Sequence, residues 1–598
     1  MTKFGAAFLA GVMCMSFASA SEFSPDKWAV DARQRAEQQE IRSWVPLSAQ
    51  VLHGKSGMIS ATVSPIAVQA GLETLHRGGN AADAAATVAL TQIATQLGSV
   101  VSYAGIMTVL YYDAKSGKIS SLDAGYNSYR GESDPRSIAA SDLSLLTGGL
   151  PPPPAKDIGR QTLVPGFMAG IEAMHSRFGR VPFGDLFAPA IWYADNGVTI
   201  SAPLAYFFQV RQKYLSRTPE GQRFLRQAGN NLPQIGDVFR QPELAATLRA
   251  VAEQGARTMY NRDWAKAFVA AVQRDGGKVT LQDMEDYRPT WSEPAHTSFF
   301  NHDVYVGGSP NLSAYQLLTA LNVASALHVD RGGAYWTDPQ MFCDLNRISS
   351  VVGGGPVLLP QTASLLRAKG IDVSPEGQRT QAYAQALAAL LPDLYGAGPK
   401  GDPHHSNAIV VIDKDGNIAV MTHTINSVIW GNTGIVVGGI PIPDSAGFQQ
   451  ERLAQLQPGG RLPNEIADTI ILNRDHQPVL ATAGIGSALL PETLRVIVSA
   501  IGQQRDLATV AAAPPLLINV DPKSYALPLA QRPVPVPAGA YDAPFLDNLK
   551  STGLTVTEVP VPIVAGVRGT LALVALDPKT AERTAPEVPG VMVFAGSE

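Results

Sequence analysis

From Met58 onward apolar residues recur with two periods along the chain, and each period predicts its own kind of element. Pro65 opens a helical pattern that carries Ala67, Ala70, Leu72 and Leu75; Gly78-Gly79-Asn80 ends it, and an alanine-rich helix runs on from Ala81. The two predict a tight αα-hairpin. The run IMTVLYYD, the Gly-containing AKSGK and the run ISSLDAG predict two strands around a turn. PELAATLRAVAEQG places Leu244, Leu248 and Val251 on one face, with Pro242 in its first turn and Gly255 past its end, so a packed surface helix is expected there. Further on, NAIVVID, NIAVMTHTI and DTIILN have strand patterns, and PETLRVIVSAIGQQ from Pro491 has a helical one. The polar stretch up to Ser48 predicts a mobile arm with a helix near Asp31 to Ile41. The breakers of YGAGPKGDP, residues 395–403, predict an exposed linker between two ordered patterns.

Composition narrows the class. A chain of 598 residues, 45% apolar and 16% charged, can fill a large core and is long for one simple folding unit. The net charge of -5 and the lack of a basic run give no footprint for nucleic acid or anionic lipid, which leaves a small molecule as the expected partner. The first twenty residues join one cation, Lys3, to an apolar run and the small residues Ala18 and Ala20, the pattern of a secretory signal cut after Ala20. Its removal leaves no membrane span and only one of the two cysteines, Cys343, so no intrachain disulfide is expected.

Common catalytic motifs are missing: there is no G-x-S-x-G elbow, H-E-x-x-H, Walker loop or dinucleotide fingerprint. Ser24 to Lys27 matches S-x-x-K by accident in the expected arm. The His404-His405 pair lacks further ligands nearby, and neither a metal nor a cofactor is expected. HHSNAIVVIDKDGNIAVMTHTIN differs, because there a linker ends at a hydroxyl residue that begins an apolar strand. With Lys414-Asp415-Gly416 as a three-residue loop, Asp413 faces Asn417, and counting outward sets Ser406 opposite Thr424. Thr422, Thr424 and Asn426 then share one face and His423 lies on the other. A two-residue Asp-Gly loop would set Ser406 against Ile425 instead. On the residues alone Ser406 is either an ordinary loop serine or a hydroxyl that breaks the His405-Ser406 bond by an N-to-O acyl shift. The freed α-amine, titrating near ~7.7–8.0, would then serve as base for its own hydroxyl.

Several segments decide between these by resemblance. GMISATVSPIAVQAGLETLHRGGNAADAA, TLVPGFMAGIEAMHSRFG, LFAPAIWYADNGVTIS, GDVFRQPELAATLRAVAEQG and IDKDGNIAVMTHTIN are similar, in order and spacing, to segments of the γ-glutamyltranspeptidases, which are N-terminal-nucleophile (Ntn) hydrolases. The resemblance spans roughly Met58 to His302 and Ser406 to Gly502. It implies an α+β fold, a four-layer αββα sandwich, built from a signal peptide (1–20), a large subunit (21–405) and a small subunit (406–598) cut from one precursor. It places Ser406 where the family has a nucleophilic threonine, and Thr424 where a threonine orients that nucleophile. Asn426 falls where an asparagine contacts substrate, and Gly486 and Ser487 fall on the glycine pair of the oxyanion hole. The segment from Asp506 matches poorly, and its loops are expected to shape an unusual pocket.

The departures concern the clamp for the glutamyl head. Asp123-Ala124-Gly125-Tyr126 stands where the family has an arginine-bearing segment, so Arg130 would have to reach back from five positions on. Asn464 and Glu465 replace two substrate-binding serines, and the added carboxylate is expected to repel a substrate carboxylate. Ala446-Gly447 replaces an acidic pair, with Asp444 the nearest acid, and GSVVSYAGIM replaces a glycine-rich loop. A charged amino-acid head needs paired countercharges when desolvated. The expected protein is therefore an exported, periplasmic or secreted, self-cleaving amidase or acylase. The alternatives are a γ-glutamyl hydrolase or transpeptidase with a rearranged clamp and an inactive ligand-binding scaffold.

Overall fold

The computed structural model describes residues 21–598 except 43–44, 142–156, 228, 230, 309–310, 354–359, 395–405, 520–526, 528–530 and 553. The signal segment, the 395–403 linker and His405 lie outside the described residues.

Two seven-stranded sheets form the centre. One runs in the order Val593–Ser597, Met58–Thr62, Ser406–Ile412, Ile418–Thr424, Ile106–Asp113, Lys118–Ala124, Thr290–Ser292. The other runs Gln50–Gly54, Arg583–Glu587, Thr570–Leu576, Pro478–Ile485, Thr469–Asn473, His302–Val306, Ala295–Phe299. Every pairing within them is antiparallel.

Strand parity sorts the apolar residues into layers. Ala408, Val410, Ile412, Ile418 and Val420 pack between the sheets against Ile470, Leu472, Ala481 and Ala483. The alternate residues Ile409, Val411, Ala419 and Met421 pack against the helices Pro65–His76 and Ala81–Thr95. On the far side, Val304, Val306 and Ile471 meet Leu317 and Leu345 of the helices Leu312–Ala326 and Pro339–Val352. Both faces of each sheet are thus covered, which gives the four-layer αββα sandwich. It also explains why the strands read as near-continuous apolar runs.

The predicted elements fall in place, with local differences. The αα-hairpin is there, its second helix held by a capping box between Asn80 and Asp83. The helix expected from Pro491 begins at Leu489 and ends in a π turn, Val498–Gly502. Two expectations fail. The N-terminal arm is docked rather than mobile: Trp28 is 4% exposed and donates from Nε1 to the Phe23 carbonyl at 3.1 Å. Its polar sequence hides a few apolar anchors, Phe23, Trp28 and Ala36, all buried. The segment after Asp506 supplies strands to both sheets, Thr570–Leu576, Arg583–Glu587 and Val593–Ser597, as well as loops. Cys343 is buried and unpaired, with its Sγ 3.2 Å from Thr552 Oγ1.

Candidate active site

The hairpin carrying Ser406 has the three-residue register. Asp413 N–H donates to the Asn417 carbonyl at 3.1 Å, and Gly416, at φ +85°, turns the chain through the left-handed conformation. The Asp413 carboxylate secures this end, accepting from the Ala81 N–H at 3.0 Å and the Asn417 side chain at 2.9 Å. Ser406 therefore lies directly opposite Thr424, Asn407 opposite His423 and Ala408 opposite Thr422. Cross-strand partners hold their Cβ atoms ~4.5–5.5 Å apart, so the two hydroxyl side chains are neighbours on one face. That face is the inter-sheet one, continuous with Ala408, Val410 and Ile412.

His423 points the other way. Its Nε2 lies 2.8 Å from Gln92 Oε1, its ring packs on Phe167 at 5.4 Å between centroids, and burial pulls its pKa down to about 3. It is a neutral histidine of the helix-facing core, on the wrong side to serve Ser406 as a base.

Beyond Thr424 the strand ends in a fixed turn. The Asn426 N–H donates to Thr424 Oγ1 at 3.1 Å, and Asn426 takes φ +46°, a conformation asparagine tolerates better than most residues. The intervening Ile425 carbonyl accepts from Ser445 Oγ at 2.6 Å and Tyr126 Oη at 3.1 Å. Thr424 is thus oriented through its own turn, while Asn426 stands half-buried at the mouth. Gly486 and Ser487 form the turn between Pro478–Ile485 and Leu489–Ile497. Gly486 has φ +88°, and a Cβ there would sit 2.9 Å from the Arg568 carbonyl, so this turn needs glycine at its first position and accepts serine at its second.

Asp468 escaped the sequence reading. Its buried carboxylate accepts from Thr422 Oγ1 at 2.6 Å and Thr108 Oγ1 at 2.7 Å, tying the two sheets together beneath Thr424. Burial pushes its pKa up to about 7, against the pull of the two hydroxyls. An acid placed just before the apolar run TIILN was the available signal.

The clamp positions are occupied by internal partners. Asn464 donates from Nδ2 to Asp123 Oδ1 at 2.9 Å, and Arg461 holds Asp123 Oδ2 at 2.8 Å and Asn127 Oδ1 at 2.6 Å. Arg130 turns outward to Asp286 at 2.7 Å and Asp283 at 3.7 Å. Glu465 is not the bare charge expected from sequence, because Arg452 pairs with it. Asp444 accepts from Ser427 and Ser141. Among the described residues no group of three or more His, Cys, Asp or Glu is placed to hold a metal ion. No described helix is long and apolar enough to cross a membrane.

A family model described as Gamma-glutamyltranspeptidase matches residues 67–563. The chain belongs to the γ-glutamyltranspeptidase family. The match is wider than the two blocks legible by eye, and membership places the protein in the amide hydrolase or acyltransferase class of Ntn enzymes. It is similar to a glutathione hydrolase proenzyme of Pseudomonas aeruginosa, 28% identical over 61% of this chain and 63% of that protein. A glutathione hydrolase proenzyme of Bacillus subtilis is 25% identical over 79% of this chain and 82% of the relative. The chain thus spans less than two thirds of the first and most of the second. In fold it is similar to a cephalosporin acylase from Bacillus halodurans, with a TM-score of 0.73 at 21% identity, covering 92% of this chain and 98% of that one. The structure of LmbA2991HD is similar at a TM-score of 0.68 and 19% identity, over 93% and 100% of the two chains. These likenesses establish the Ntn-hydrolase sandwich.

Proposed function

We propose that the protein is an exported, autoprocessed amidase or acylase of the γ-glutamyltranspeptidase family, with Ser406 as nucleophile and base carrier. The observation that carries this reading is the register: Ser406 heads a buried strand with Thr424 directly across on the same face and His423 turned away.

In processing, Ser406 Oγ attacks the His405 carbonyl carbon, the C–N bond to Ser406 breaks, and an ester forms while the nitrogen takes the hydroxyl proton. Water then hydrolyses the ester, leaving a large chain 21–405 and a small chain 406–598. In turnover the free α-amine takes the Oγ proton as Oγ attacks the substrate carbonyl. Backbone N–H groups at Gly486 and Ser487 receive the oxyanion. As the C–N bond breaks, the α-ammonium returns the proton to the leaving amine. Water, or an amine acceptor, then releases the acyl group from Ser406. Thr424 holds the nucleophile in line, Asn426 meets the substrate, and Asn464 and Glu465 shape the wall through their bonds to Asp123 and Arg452.

A γ-glutamyl head is disfavoured because the guanidiniums of Arg130, Arg452 and Arg461 are already matched by carboxylates. Intact mass of the purified protein tests the reading. Two polypeptides, one beginning with Ser406, are expected; an active single chain running through residue 406 would overturn it.

A further inference from the structure

Where the glutamyl clamp is missing, the chain has built something else beside Ser406. Ile106 pairs with Thr424 in the sheet and shares its face, and it belongs to an apolar cluster with Leu163, Ala446 and Leu453. This cluster continues the inter-sheet core past the strand ends, on the side where Ser406 sits. Ala446 follows Ser445, whose hydroxyl fixes the Ile425 carbonyl next to Thr424. On the outer side of the cluster opens a cleft of about 190 Å³, walled by Ile138, Leu163, Ala446, Leu453, Ala454 and Leu456 among others. That is far more than the roughly 10–15 Å³ that one water needs on the same measure, so a medium-length chain fits.

The cleft offers no countercharge to an anion. Its one lining cation, Arg160, donates to both Glu132 oxygens, at 2.9 and 2.8 Å, and spends further bonds on the Asp134 carbonyl at 3.0 Å and Ser137 Oγ at 2.9 Å. Its lining tyrosine, Tyr129, has its hydroxyl 2.6 Å from Thr162 Oγ1. The polar lining groups are thus largely bonded to one another, and what they leave toward a ligand is apolar wall.

We infer that this cleft is the acyl subsite, and that the substrates are amides of uncharged, apolar carboxylic acids of about six to eight carbons. The inference rests on Ser406 being the nucleophile, for only then does the cleft adjoin the attacked carbonyl. The acyl carbonyl lies at Ser406, and the chain runs past Ile106 and Ala446 toward Leu456. An α-amino or ω-carboxylate group on that chain enters without a partner, at the cost of its hydration.

The test uses processed wild-type protein and two rim variants, Ala454→Phe and Leu456→Glu, whose side chains are only partly buried. Turnover of acetyl, hexanoyl and γ-glutamyl p-nitroanilides is compared, and binding of hexanoate, glutarate and L-glutamate is measured separately by calorimetry. Each methylene that enters the cleft should raise kcat/KM by roughly fourfold, so hexanoyl should exceed acetyl by on the order of 10²-fold. Ala454→Phe should remove at least tenfold of that gain with acetyl turnover unchanged, and Leu456→Glu should do the same. Hexanoate should bind, and each variant should weaken it. Preference for the γ-glutamyl anilide, or hexanoate binding that both variants leave intact, overturns the inference while leaving Ser406 in place. Hexanoate binding that the variants abolish, in a protein that hydrolyses no anilide, keeps the cleft and removes Ser406 as nucleophile.

Discussion

At the scale of single residues the site is a small set of hydroxyls ordered by backbone. Ser406→Ala removes the attacking oxygen, so both chain cutting and turnover should vanish, measured by gel and by anilide release. Thr424 acts through position, held by the Asn426 N–H. Thr424→Ala should slow both reactions by about 10²-fold, the usual scale of a displaced reacting group, and Thr424→Ser should restore them. Asp468 makes a prediction about pH. Its folded pKa, about 7, lies above its ordinary 3.8, so between these values the folded protein holds a proton that the unfolded chain has lost. The stability it contributes is full below about pH 4, falls as pH rises through this window, and is flat above pH 7. Asp468→Asn should flatten that part of the profile, with the variant gaining on wild type between pH 4 and 7 by on the order of 1.4 kcal/mol per unit of pKa shift. Equal pH slopes for the two proteins in thermal melts would refute the assignment of a protonated Asp468.

At the scale of elements, two turns decide where the chemistry stands. The hairpin loop sets which residues face Ser406, and it was legible because Asp413 and Gly416 mark its ends; a one-residue slip would have put Ile425 opposite instead. The oxyanion turn depends on Gly486, whose φ of +88° and closeness to the Arg568 carbonyl exclude a side chain. Gly486→Ala should lower kcat by about 10²–10³-fold, the cost of losing one oxyanion donor, whereas Ser487→Gly should change it little. Comparison of the two kinetic profiles separates turn geometry from side-chain chemistry. The clamp was legible only as an absence. Sequence showed that the family's arginine and serines were gone, but not that Arg461 would bind Asp123 or that Arg452 would neutralise Glu465. Those pairings join residues up to 338 positions apart, and no local pattern encodes them. Asp468 was hidden for the same reason, since its partners Thr108 and Thr422 lie on other strands.

At the scale of the whole molecule, the chain on either side of residue 406 is woven into both sheets. Ser406–Ile412 is hydrogen-bonded between Met58–Thr62 and Ile418–Thr424, and the C-terminal strand Val593–Ser597 closes the same sheet on Met58–Thr62. In the second sheet, Thr469–Asn473 pairs with His302–Val306, and Arg583–Glu587 pairs with Gln50–Gly54. The expectation that the late segment only decorates a pocket failed here, because its strands are short and separated by breakers and their partners are hundreds of residues away. The weave sets what cutting can do. Breaking one bond before Ser406 removes no strand pairing and no layer of the core, and it frees the new amine beside Thr424 without loosening the frame that aims it. The two chains should therefore migrate separately in denaturing gels yet elute together at the mass of one heterodimer in native mass spectrometry, and part only in denaturant. Two fragments that separate in native buffer would mean that the paired strands described here do not hold the cut protein together.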